Sequence, residues 1–122
     1  MPSQDIPQLH AASILPWFNK AELIDACVLQ VQKDLGAYGI ALHYSGNSAS
    51  AYQELFDQLK PQITALLSSG TKLKAMLYRV DLPESQLRDT LAKELDMSAA
   101  ISRLILWREL QKVVTRFLLS TK

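Results

Sequence analysis

Apolar positions along this chain recur mostly at the three-and-four spacing of helices, and where that spacing lapses glycine, asparagine or proline takes over. Ile24, Cys27, Val28, Val31 and Leu35 form the first firm stripe. Asn19 is placed to cap it, Glu22 three residues on completes a capping box, and Gly36 supplies a left-handed stop. Ahead of it, Leu9 to Phe18 gathers Ile14, Leu15, Trp17 and Phe18 around Pro16, a short helical turn with its aromatics on the core. Residues 1–8 are polar and proline-flanked, hence expected to be loose.

Ala37 to Ser50 has no helical period and reads as a loop. Within it Tyr38, Ile40, Leu42 and Tyr44 alternate as one short extended piece with no partner strand in sight. Ser50 with Gln53 spells a second capping box. Tyr52, Leu55, Phe56, Leu59, Ile63, Leu66 and Leu67 then keep one face in phase through Pro61, which fits either a kinked helix or two helices meeting at Lys60-Pro61. Gly70 closes that segment.

Leu73, Met76, Leu77 and Val80 make a short third stripe, ended by Asp81-Leu82-Pro83-Glu84, where Asp81 can cap the next helix. Leu87, Leu91 and Leu95 mark a fourth. The last helix runs from about Ala99 to Leu119, and its apolar positions cover more than half its circumference, so it must be buried on two sides. The fold class is all-α, an irregular bundle of about five main helices with a long, mostly buried C-terminal helix, in a single domain spanning 1–122.

Composition sharpens this picture. Four Gly and five Pro among 48% apolar residues in 122 favour helix and allow one self-sufficient core. A net charge of +1 lacks the electrostatic footprint of a general polyanion binder. The charge is arranged in blocks, acidic to residue 57, basic over 58–80, acidic over 81–97 and basic from 98, as expected of oppositely charged helices packed side by side. A single cysteine, no basic-then-apolar leader and no apolar run of about 20 residues point to a cytoplasmic protein without a membrane segment.

Chemistry is sparse. His10 and His43 lie in segments read as flexible or loop, Cys27 belongs to the core stripe, and no metal-ligand spacing is present, so neither cofactor nor metal nor catalytic residue is expected. Ser68-Ser69-Gly70-Thr71-Lys72 has the residue types of a phosphate loop without its first glycine, and it reads as a helix C-terminus. Arg79 could pair with Asp81 or Glu84. Arg108, Lys112 and Arg116, spaced by four, form a basic stripe with Glu109 beside it; with Arg103 they are the candidate contacts for a protein partner or nucleic acid.

Leu91-Ala92-Lys93-Glu94-Leu95-Asp96-Met97-Ser98, followed by Ile101-Ser102-Arg103, resembles the helix-turn-helix family. The resemblance implies a DNA-binding regulator built on residues 87–106. Against it, Asp96 stands at the usual glycine and the Ser98-to-Ile101 interval is one residue short, a rotation of about 100°. The helix beyond Arg103 is also apolar, where a reading helix needs a free face. Leu77-Tyr78-Arg79-Val80-Asp81 together with Leu106-Trp107-Arg108-Glu109-Leu110-Gln111-Lys112-Val113-Val114 resembles a small family of uncharacterised bacterial helical proteins ending in Arg-Glu-Leu-Gln-Lys-Val. That resemblance implies an all-helical fold and no mechanism. The functional expectation is a non-enzymatic protein-interaction or binding module. Self-association is motivated by the apolar last helix, should its neighbours fail to cover it; a third class is an enzyme or small-molecule binder using a bundle pocket near Tyr38, His43 and Tyr78.

Overall fold

The computed structural model describes residues 20–93 and 95–120, and five α-helices account for most of them. They are α1 (Ala21–Leu35), α2 (Ala51–Leu66), α3 (Gly70–Val80), α4 (Glu84–Lys93) and α5 (Met97–Ser120). The readings made above for residues 1–19, including the Asn19 cap and Trp17, lie outside the described residues.

The apolar stripes become one core. Ile24, Cys27, Val31 and Leu35 of α1, Leu55, Leu59 and Ile63 of α2, and Met76 and Val80 of α3 close on Ile101, Ile105, Leu106 and Leu110 of α5. α5 is the axle: Thr64 Oγ1 donates to Ser98 Oγ at 2.8 Å near its start, while Lys112 and Arg116 reach Asp34 and Gln30 of α1 further along. The two α1 pairings make α1 antiparallel to α5, and the last turn of α2 meets the first turn of α5. From Ser98 to Val114 every residue of α5 is buried or half-buried, so its neighbours cover the apolar circumference over that stretch. Met97, Leu118 and Leu119, at the two ends of the helix, stay exposed.

Several helix ends differ from the reading of the sequence. Gly36 is right-handed (φ −58°) and begins a 3-10 turn, Gly36–Tyr38; the left-handed residue is Gly39 (φ 85°), where lack of a Cβ makes that conformation inexpensive. Ser50 makes no side-chain cap, and Gln53 donates to Asp57 instead; Asn47 caps the short turn Ser48–Ser50. Gly70 opens α3 and does not close α2. Asp81 ends α3 at φ 65° rather than starting α4, its N–H bonding the carbonyls of Leu77 and Tyr78. Asp96 caps α5, accepting from the Ala99 N–H at 3.1 Å. α4 stops before Leu95, which is fully exposed.

α2 runs unbroken through Pro61. The ring sits on the exposed side, so the carbonyl of Asp57 that loses its helical donor faces solvent while Leu55, Leu59 and Ile63 hold the buried side in phase.

The extended piece does find a partner, though it is not a strand. Gln62 accepts from the Ala41 N–H (2.8 Å) and donates to the Ala41 carbonyl (2.7 Å); Gln58 does the same for His43 (2.7 and 2.6 Å). Glu54 accepts from both the N–H and the hydroxyl of Ser45. Three residues one helical turn apart thus serve alternate residues of an extended chain. The periods match because four helical residues rise about 6 Å and two extended residues about 6.6 Å. The alternation turns Ile40 fully, and Leu42 and Tyr44 partly, onto the core, while Ala41, His43 and Ser45 face out.

Candidate functional site

The basic stripe is where sequence placed the candidate contacts, and the structure turns much of it inward. Arg108 grips the α3–α4 corner: Nε donates to the Asp81 carbonyl (3.0 Å), Nη2 meets the Asp81 carboxylate (3.2 Å) and Nη1 reaches Gln111 (3.0 Å). Arg116 Nη1 donates to Gln30 Oε1 at 2.7 Å. Arg103 is half-buried and near enough to Tyr52 of α2 for its charge to act on that phenol. Arg103, Arg108, Lys112 and Arg116 accordingly share no single exposed face.

Lys112 leads to the most unusual chemistry in the molecule. Its Nζ lies 2.8 Å from Asp34 Oδ2 and 2.8 Å from Glu109 Oε2. Only the Asp34 contact is well aligned as a hydrogen bond; the one to Glu109 is an ion contact, leaving that carboxyl without an aligned donor. Asp34 also accepts from Gln30 Nε2 at 2.9 Å. Arg79 approaches Asp34 Oδ1 at 4.0 Å, replacing the Asp81 or Glu84 pairing expected of it.

Glu109 is 0% exposed. Burial pushes its carboxyl up to about 8, Lys112 opposing the rise and the neighbouring Asp34 adding to it. For Asp34 burial works in the same direction, but hydrogen bonds from Lys112, Gln30 and Glu109 overcome it and bring the group down to about 2. The two carboxyl groups are thus pushed in opposite directions, Glu109 toward its neutral form and Asp34 toward its anion. Cys27, fully buried, has its thiol raised far out of the reactive range by burial and then by Glu109, as befits a core residue.

A second feature is a surface. Leu77, Tyr78 and Lys74 of α3, Leu87 and Glu84 of α4, and the connecting Asp81 and Leu82 line an open groove of about 390 Å³. Tyr78 is 87% exposed at its rim. α4, which makes one wall, buries no residue completely; Leu91 rests against the core, whereas Leu87 lines the groove. Leu95 and Met97 are exposed beyond the far end of α4. The site suggested near Tyr38, His43 and Tyr78 is not assembled this way, since Tyr78 belongs to the groove, exposed His43 to the glutamine ladder and Tyr38 to the core margin.

The helix-turn-helix geometry meets a steric obstacle. Ser98 to Ser102 and Leu104 to Leu106 are buried, so the start of α5 is wedged into the bundle and not presented to a groove. The 91–105 segment is a capped helix-helix corner, tied to α2 by Lys60–Asp96 at 2.8 Å and by Thr64–Ser98.

No helix among the described residues is long and apolar enough to cross a membrane, and none of these residues gather three or more His, Cys, Asp or Glu into a metal-binding group. No protein-family model matches the chain, and no curated protein and no solved structure matches it.

Proposed function

We propose that this chain is a non-enzymatic, cytoplasmic binding module whose receptor surface is the α3–α4 groove and whose partner presents an amphipathic helix. The observation that carries the reading is the groove itself, apolar along Leu77, Leu82 and Leu87, with the Tyr78 ring exposed at its rim. Such a surface takes the apolar face of a partner helix. Lys74 on the α3 wall and Glu84 at the start of α4 set the polarity, an acidic residue of the partner meeting the first and a basic one the second. The fixed corner adds preorganisation, because Arg108 holds both the carbonyl and the carboxylate of Asp81.

The test is quantitative affinity capture from an extract of the producing cells, comparing the natural chain with Tyr78→Asp and Leu87→Asp, alongside light scattering after size exclusion. A partner retained by the natural chain and reduced at least about tenfold by both variants supports the reading. Equal recovery of every protein by all three chains overturns it, and so does a dimer formed by a second copy seated in the groove.

A further inference from the structure

An extended chain has two edges, because the backbone N–H and C=O of successive residues point to opposite sides. In residues 40–45 one edge is taken. Ala41 and His43 turn both groups to Gln62 and Gln58 of α2, and Ser45 turns its N–H to Glu54. Leu42 and Tyr44, on the other edge, neither donate nor accept through the backbone among the described residues. The helix thus stands in for a neighbouring strand and holds the opposite edge extended and in fixed register, so that a further strand can be added at little ordering cost.

The surroundings of that edge set the chemistry of what it can receive. Tyr44 sits between two helices: its phenol is pushed up by burial first and then by Asp25 of α1 and Glu54 of α2, so both carboxylates are near. Asp25 has Glu22 one turn before it and Leu29 one turn after it, all three exposed, and Leu29 keeps 65% of its surface in solvent. Lys20 and Lys33 stand at the two ends of α1, leaving the stretch between them acidic and apolar. The step from Asp25 to Leu29 is about 6 Å along the helix, close to the roughly 6.6 Å between alternate residues of a strand. A second copy of this chain would bring the same carboxylates against these, whereas a basic segment is drawn to them.

We propose that the Leu42–Tyr44 edge receives an extended basic segment of a partner protein, added as a strand, with a lysine or arginine over Asp25 and an apolar residue two positions away over Leu29. This surface is separate from the α3–α4 groove and recognises a strand where the groove takes a helix. The backbone groups of Leu42 and Tyr44 supply the hydrogen bonds, and α1 supplies the selection among side chains.

The test is a titration of the isotope-labelled full chain with a capped peptide, Thr-Lys-Thr-Val repeated once, followed by NMR. The Leu42 and Tyr44 amides should shift, and their hydrogen exchange should slow at least about tenfold at saturation, while Ala41 and His43, already bonded, change least. The same peptide with glutamate for lysine should bind at least about tenfold more weakly. Leu42→Pro deletes an outward donor and leaves the ladder its bonds, whereas Leu42→Ala removes the same side chain and keeps the donor. Proline should weaken binding at least about tenfold relative to alanine; if the proline chain does not fold, the amide shifts of the natural chain decide. Shifts confined to the α3–α4 groove, no shift at Leu42 or Tyr44 at millimolar peptide, equal binding of the lysine and glutamate peptides, or equal binding by the folded proline and alanine variants overturns the proposal.

Discussion

Single residues here act through partners distant in sequence. Lys112 is the clearest case: it stands 18% exposed between two carboxyl groups, and replacing it with methionine leaves the Asp34 carboxylate buried without its main cation. Removing one member of a buried ion pair typically costs about 3–5 kcal/mol, so Lys112→Met should unfold at much lower denaturant than the natural chain at pH 7. Arg116→Ala loses one hydrogen bond at an exposed residue and should cost under about 1.5 kcal/mol. Acid acts on the other half of the pair. Asp34, held low, contributes stability that is complete above about 3.8 and lost as pH falls through about 2. The spacing of Arg108, Lys112 and Arg116 was legible as a stripe in the sequence, and so was Glu109 beside it. Their partners were not, because Asp34 lies 78 residues from Lys112 and nothing local marks it as an inward carboxylate.

At the scale of elements, the helical stripes survived almost intact, since an apolar face at regular spacing must be buried wherever it goes. Helix ends fared worse. Asn47 caps the turn ahead of α2 where Ser50 was expected to cap the helix, the left-handed residue after α1 is Gly39 and not Gly36, and Asp81 ends α3 instead of capping α4. Tertiary ties such as Arg108 to Asp81, which lie far apart in sequence, help fix where a helix ends. The extended piece was also legible in its alternation, while its binding by Gln58 and Gln62 was not, because glutamine on a helix ordinarily signals a solvated face. Gln58→Ala should leave the His43 N–H and carbonyl without their partner and cost about 1–2 kcal/mol. Hydrogen exchange should show alternation along the segment: Ala41 and His43 slow, and Leu42, whose N–H has no partner among the described residues, fast. Uniform rates from 41 to 44 would contradict the ladder.

For the whole molecule, α5 decides stability and α4 contributes least. Ile105→Ala empties the centre of the core and should cost about 3–5 kcal/mol, whereas Leu91→Ala, on a half-buried position, should cost about half as much. Thermal unfolding of the two variants would rank them, and an equal loss would mean that α4 is held more firmly than its burial implies. Native-state exchange should find α4 opening before α1, α2 or α5, because few of its contacts need global unfolding to break. That suits a helix proposed to form one wall of a binding groove. The block pattern of charge belongs to this scale as well: the basic stripe from 108 onward meets Asp34 of the acidic first block and Asp81 of the acidic third.

The ladder between α2 and Ile40–Ser45 also constrains how such a sequence can change over generations. One residue gained or lost between Ala41 and Ser45 would swing Leu42 or Tyr44 out and bring a polar neighbour in. Changes of length there are tolerated only in twos, each answered by a whole turn of helix, so loop length in descendants of this chain should be inherited in steps and not drift freely.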